Sequence, residues 1–568
     1  LKQRRSNDDL FVLAILGAVC GLLAALVMAL LYWLIVTSSH FFMAGGGEAF
    51  ESLAVWQRAT IPVVACFILA TIFTVLPAKI NNVGIPFVVE RLNYHQGVLP
   101  FANAVTQFFT AAISLVGGLS IGKEGPAVHL GATFGSYLAQ KARLPQYGVE
   151  TLLACGVSGA IAAAFQTPLA GVLFAFEVIF IEYRMGIVLP VVMSSVVGML
   201  VSEFLLGRIE VFDIAKLSTA QFTPEFFLAC LALVLFIVML AFLFLKVQKV
   251  LWSLGSLSVW WRFALVALAT SIAAIYVPEA LGGGYDSIVS LLSGQVLVSS
   301  LLVIIVVKTL LTSASIGLGI PGGMIGPTFV IGGLAGAQVA FLFNSSLTYE
   351  HEMTLFILLG MSAMMAVCFQ APLTALIAII EMTHTSEVIV PAMLVIVLSC
   401  LIMRLFKQDS AFVQRLRFSG LSSSPSPFQR YLRHHTVQSV AEPVTIVPAH
   451  ASMERLKDLG SSMVEYVAFQ SEDRWLLARR ESVLDALQSI NFGPPPWLVV
   501  DDDRVLMDLL KALDCEQSPF ISEPASLEDM LAWFQISGSS DVLVDLKRAG
   551  KICLVSRRRL DQFLLKDS

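Results

Sequence analysis

A chain of 568 residues with 57% hydrophobic and 14% charged residues and a mean hydropathy of +0.80 falls well short of the roughly 25% charge of a soluble protein. The last 141 residues hold 37 of the 77 formal charges and the first 427 hold 40, so a membrane region precedes a soluble one, and collagenous, disordered, disulfide-scaffold and wholly soluble classes are excluded. Net charge is zero over the first 427 residues and −5 over the rest, which offers nucleic acid no basic surface.

The elements follow in chain order. Residues 10 to 47 lack Asp, Glu, Lys and Arg and come after Lys2, Arg4 and Arg5. That is too long for a signal-peptide core and reads as a first membrane helix with a cytoplasmic N-terminus. Further uncharged stretches run 59 to 78, 92 to 122, 151 to 176, 185 to 202, 226 to 245, 263 to 278, 287 to 307, 309 to 349, 353 to 380 and 388 to 403. A span needs about 20 apolar residues; several stretches are shorter, others much longer, and many contain Gly or Pro. Tilted, broken and re-entrant helices fit this pattern, and irregular backbone at membrane depth is tolerated only where protein or a water-filled path satisfies it.

An internal repeat points the same way. Gly122-Lys123-Glu124-Gly125-Pro126 and Gly323-Met324-Ile325-Gly326-Pro327 both read G-x-x-G-P, 201 residues apart. Downstream, Gly156, Ser158, Phe165, Gln166, Pro168, Leu169 and Glu177 match Gly360, Ser362, Phe369, Gln370, Pro372, Leu373 and Glu381 at an offset of 204. Interrupted apolar segments at corresponding positions of two halves point to a transport site where the halves meet.

After the linker Leu421-Ser-Ser-Ser-Pro-Ser-Pro427, the soluble tail holds two similar pieces. The second reads strand, helix, strand, strand over Phe520 to Pro524, Leu527 to Phe534, Asp541 to Val544 and Lys551 to Ser556. The first, with Pro443 to Pro448, an amphipathic stretch and Trp475 to Arg480, reads as a less complete copy; Gly493-Pro-Pro-Pro496 separates them. The eight cysteines show no metal-ligand spacing and read as small apolar fillers. No nucleophile-base-oxyanion set, P-loop or metal cluster is evident, so no catalytic or metal residue, no cofactor and no enzyme activity is assigned.

Glu124 is the sharpest single residue. It follows 31 uncharged residues and Lys123, flanked by glycines and ahead of a proline. A carboxylate there costs several kcal/mol or needs a partner, and it reads as a titratable gate on an ion path. Helix N-termini at the two glycine-rich breaks would surround a dehydrated anion with N–H groups, which suit a small monatomic ion because it has no shape to read. Lys123 either raises the local anion concentration or snorkels to the interface. His129 lies about 140° around a helix from Glu124 and reads as structural, as do Glu177 and Glu381 at the ends of matched helices.

With Gly122-Lys-Glu-Gly-Pro126, Gly84-Ile-Pro86 and Gly323-Met-Ile-Gly-Pro327, residues 10 to 417 resemble the CLC family of chloride channels and proton-coupled chloride transporters, and the tail resembles a degenerate pair of CBS domains. The resemblance implies an α-helical polytopic membrane protein with an inverted repeat of broken and tilted helices, followed by an α/β soluble domain. Its parts are 1–9 as cytoplasmic N-terminus, 10–417 as transport domain, 418–440 as linker and 441–568 as cytoplasmic CBS-pair-like domain. It further implies a homodimer with one pore per subunit in a bacterial inner membrane, both termini cytoplasmic. Glu124 is then the gate and proton acceptor, and the anion, chloride or a similar small one, is held by Gly84, Ile85, Lys123, Gly125, Met324, Ile325 and Gly326.

Three positions depart from the family pattern. Val83 or Asn82 stands where the family has a central serine, Phe412 where it has a pore-facing tyrosine, and Val178 where it has an internal proton-handling glutamate. The inner anion site is therefore expected to be poor in donors, leaving backbone N–H groups around Gly84, Ile85, Met324 and Ile325 to bind the ion. With Val178 unable to carry a proton, passive channel-like conduction is the first expectation and proton-coupled exchange the alternative. A secondary transporter of an organic anion would need intramembrane cations, for which Lys308 is the main candidate. A nucleotide-sensing tail is disfavoured, because Ala478-Arg-Arg-Glu481 and Ser556-Arg-Arg-Arg559 lack the Asp that holds a ribose in CBS pairs.

Overall fold

The computed structural model describes residues 2–41, 50–181, 185–208, 222–292, 300–343, 349–421, 437–461, 464–471, 474–489, 495–501, 504–522, 527–546 and 551–566. Most of the Leu421–Pro427 linker and the start of the Gly493–Pro496 break lie outside them. The chain divides into two compact units, Leu1–Ser424 and Pro425–Ser568.

The first unit is helical throughout the described residues, and seven of its helices are long and apolar enough to cross a membrane. It is an integral membrane protein built as an inverted repeat. The overlong uncharged stretches break where glycine reverses the backbone. Stretch 92 to 122 yields the helix Phe101–Val116 and then Gly118 at φ +69°, and stretch 309 to 349 passes from Leu301–Gly317 through Gly319 at φ +93° into Ile325–Leu342. A side chain disfavours this left-handed backbone and glycine does not. Three hydroxyls of the helix Phe101–Val116 are satisfied locally: Thr106, Thr110 and Ser114 each donate to the carbonyl four residues back.

Each half packs two helices backbone to backbone. Glu124–Lys141 crosses Gln146–Phe165, and Ile325–Leu342 crosses Tyr349–Phe369. A Cβ on Gly131 would stand 2.2 Å from the Gly156 carbonyl oxygen, and one on Gly332 would stand 2.2 Å from that of Gly360. Small residues permit such crossings in lipid, where tight van der Waals contact drives helix association.

The F-Q-x-P-L breaks are equally matched. Gln166 and Gln370 end their helices in the left-handed conformation, at φ 57° and 55°, and Pro168 and Pro372 begin the next helix, where a missing N–H costs nothing. Each glutamine amide donates to a distant carbonyl, Gly207 at 2.8 Å and Gln408 at 2.6 Å.

The halves then cap each other. Glu177 accepts from the backbone N–H groups of Leu373 and Thr374 and from the Thr374 hydroxyl, at 2.7 to 3.2 Å. Glu381 accepts from the N–H groups of Leu169 and Ala170, both at 2.9 Å. Each carboxylate thus closes the N-terminus of the other half's helix, where the helix dipole favours negative charge. Glu177 lies in a π-helical segment, Ala175–Phe180, whereas Glu381 lies in the α-helix Pro372–Thr383.

The second unit contains a seven-stranded and a three-stranded sheet. In the larger sheet Glu442–Ile446 runs parallel to Tyr466–Ser471, which turns back into Arg474–Arg479. Phe520–Ser522 likewise runs parallel to Asp541–Leu546, which turns back into Lys551–Ser556. The two pieces are copies of one motif, joined by the antiparallel pairing of Glu442 with Leu554. Strand Tyr466–Ser471 is the part of the first copy that the sequence reading lacked. Burial pushes the Cys515 thiol up to about 11, with Asp514 beside it, as suits an apolar filler.

Candidate functional site

The two G-x-x-G-P breaks face each other. Gly122 and Gly323 exchange backbone hydrogen bonds, each N–H donating to the other's carbonyl at 2.7 Å. This single antiparallel bridge places the N-terminus of Glu124–Lys141 against that of Ile325–Leu342. Glycine is required for the approach, since a Cβ on Gly125 would lie 2.6 Å from Gly323 Cα.

Glu124 is fully buried at this junction. Its Oε2 accepts from the Gly326 N–H at 3.2 Å and its Oε1 accepts from the Tyr285 hydroxyl at 3.1 Å. A Cβ on Gly122 would sit 2.1 Å from Oε2 and one on Gly326 2.9 Å from Oε1, so the carboxylate occupies space that only glycines leave open. The unpaired N–H groups at a helix start, with their positive partial charge, form an anion site, and here the protein's own carboxylate lies in it.

The other expected residues are distributed around this centre. Ile325 and Gly326 open the helix Ile325–Leu342 behind Met324, whose sulfur receives the Gln248 amide at 3.6 Å. Lys123 directs its ammonium over the Tyr32 ring, 5.4 Å from the centroid, a cation–π contact that turns it from the carboxylate. Gly84, at φ +89°, precedes the helix Ile85–Tyr94, but its N–H already donates to His129 Nδ1 at 3.2 Å.

Accepting at Nδ1 puts the His129 ring proton on Nε2, which is buried and has no hydrogen-bond partner among the described residues. His129 is therefore structural on one side only. Val83 is half-buried ahead of Gly84. Phe412 is buried and stacked on Phe369 at 5.1 Å, on a helix, Ala411–Phe418, that packs against Ile85–Tyr94. Val178 is buried in the π-helical segment.

Two features were missing from the sequence reading. Tyr285 was not singled out, although the run Gly282-Gly-Gly284 before it marks a further break. The reciprocal capping by Glu177 and Glu381 needs the fold, because each partner lies about 200 residues away.

The family resemblance sets Val83 and Phe412 at hydroxyl positions beside the anion, and on that expectation each forgoes a hydrogen bond to a charged ion worth roughly 1.5 to 3 kcal/mol where well placed. Val83→Ser is expected to tighten anion binding severalfold in calorimetric titration. An unchanged affinity in the folded variant would remove Val83 from the pathway.

Residues 65–404, more than half of the chain, match the family model described as voltage gated chloride channel. The H(+)/Cl(-) exchange transporter ClcA of Salmonella schwarzengrund is 26% identical over 416 residues, covering 69% of this chain and 84% of that protein. ClcA of Klebsiella pneumoniae is 27% identical over 335 residues, 56% and 68% of the two chains.

Among solved structures, a CLC-type fluoride/proton antiporter has a TM-score of 0.61 at 21% identity, over 71% of this chain and 98% of its own. A slow cyanobacterial Cl-/H+ antiporter has 0.61 at 19%, over 72% and 97%. A eukaryotic CLC transporter has 0.58 at 20%, over 97% of both chains. These structures share the fold. On the family match, the chain belongs to the voltage gated chloride channel family.

Proposed function

We propose that the protein exchanges chloride for protons across a bacterial inner membrane, with Glu124 as the group that alternates between blocking the anion path and carrying a proton. The observation that carries this reading is the Glu124 carboxylate seated on the Gly326 N–H at a helix N-terminus, in an anion's place. A carboxylate and a chloride ion compete for such donors. Protonation weakens the carboxylate's hold on them, so anion entry and proton uptake become one event.

The expectation of channel-like conduction gives way here to its alternative. The curated relatives matched are named as exchange transporters, which favours exchange for this chain too. Val178, buried and unable to bind a proton, is the one observation on the channel's side. Exchange with Val178 in place requires protons to reach Glu124 along water from the inner side rather than through a carboxylate at that position. Gly125, Met324, Ile325 and Gly326 line the outer part of the path, and Val83 and Phe412 the inner part.

The protein works as a homodimer with both termini cytoplasmic and its second unit as a CBS-like pair, to which we assign no adenine nucleotide. The test is a paired chloride and proton flux assay in liposomes. An outward chloride gradient is expected to drive protons inward against their own gradient, and chloride flux without proton movement would restore the channel reading.

A further inference from the structure

Val83 and Phe412 carry no hydroxyl, yet one hydroxyl lies on the Glu124 carboxylate itself. Tyr285 opens the helix Tyr285–Leu292 and donates to Glu124 Oε1 at 3.1 Å. The same carboxylate receives the Gly326 N–H on its other oxygen. A phenol and a backbone amide thus converge on one buried point from two different segments.

The segment that carries the phenol is held firmly. The buried ammonium of Lys308 donates to the carbonyls of Ala280, Leu281 and Gly282 at 3.2 to 3.4 Å. The Gly282 N–H donates to Gly118 O at 3.1 Å, four residues before Gly122. Gly284, at φ +83°, lies so close under Lys308 that a Cβ would stand 2.4 Å from the ammonium. A donor fixed before the ion arrives loses little entropy when it binds. Lys308 therefore serves the fold of this segment, and the organic-anion reading loses its main candidate cation.

We propose that Tyr285 is an anion-coordinating and specificity-determining residue. Its hydroxyl holds the Glu124 carboxylate in the path and donates to the transported anion once the carboxylate leaves, so the donor missing at Val83 and Phe412 is supplied at the outer position instead. The proposal rests on the reading of the carboxylate's place as an anion place. An O–H donor aimed at a point favours an ion of concentrated charge over one whose charge is spread, because the hydrogen bond strengthens with the charge on the acceptor. The occupant is therefore a small monatomic anion in preference to a polyatomic one such as thiocyanate.

The experiment uses the full chain with Glu124→Ala, which vacates the place, and compares it with Glu124→Ala/Tyr285→Phe, which removes the hydroxyl and keeps the ring. Calorimetric titration with chloride and with thiocyanate is expected to show chloride binding weakened about tenfold by Tyr285→Phe and thiocyanate binding nearly unchanged. Equal chloride affinity in the two proteins would overturn the proposal. An equal loss for both anions would also overturn it, as the mark of a disturbed site rather than a lost donor. Failure of proton exchange in flux assays is separate, because a pure chloride conductor would still show this split. Absence of any chloride binding in Glu124→Ala alone would instead overturn the reading of the place itself.

Discussion

Glu124→Gln is expected to conduct chloride at a rate independent of pH and to move no protons against their gradient. The amide nearly matches the carboxylate in size but carries no charge and takes up no proton in the accessible range. The hydrogen bonds at Glu124, from Gly326 N–H and Tyr285 O–H, favour an anionic acceptor, so the neutral amide competes poorly with chloride for them. Block and proton uptake reside in one group and must disappear together. Chloride efflux from liposomes at several pH values measures both. A variant that keeps the parent's pH dependence would take the gating role away from Glu124.

Glu177→Gln is expected to leave proton coupling intact. The sequence places Glu177 next to Val178, the position at which the family resemblance sets a proton-handling glutamate. The fold turns its carboxylate onto the N-terminus of Pro372–Thr383, and Glu381 makes the mirror-image contact. A role shared by both halves is a stitching role, since only one half carries the π-helical segment and Val178. The amide keeps one acceptor oxygen, sets an NH2 donor against the backbone N–H that the other oxygen served, and forfeits the charge, a loss of about 2 kcal/mol at each helix N-terminus. Thermal stability should fall by a similar amount in Glu177→Gln and Glu381→Gln, with protons still moving per chloride as in the parent. Abolished coupling in Glu177→Gln alone would make Glu177 the internal relay.

What could be read from the sequence was what local chemistry determines. The paired G-x-x-G-P and F-Q-x-P-L breaks were legible because Gly and Pro interrupt a helix wherever they fall, and Glu124 because a lone carboxylate among apolar residues is costly. The second copy in the tail was legible from its alternating strands, whereas Tyr466–Ser471 was not, since its partner strand Glu442–Ile446 lies parallel and across an intervening helix.

What escaped were the contacts between halves. The Gly122–Gly323 bridge, the crossed caps of Glu177 and Glu381, and the hydroxyl of Tyr285 on Glu124 join residues 161 to 212 positions apart. Nothing local in a tyrosine after three glycines marks it as a partner of a distant carboxylate. Gly84 is a further long-range case. Its motif does not reveal the partner of its N–H, and only the folded chain brings His129 Nδ1 to it.

The central claim is that the Glu124 carboxylate occupies the place of the transported anion. Crystals of Glu124→Ala grown in bromide, whose anomalous scattering locates the ion, test it most directly. The account predicts a bromide peak within hydrogen-bonding reach of both Gly326 N and Tyr285 Oη. A well-ordered structure with bromide bound elsewhere and none between those two donors would contradict it.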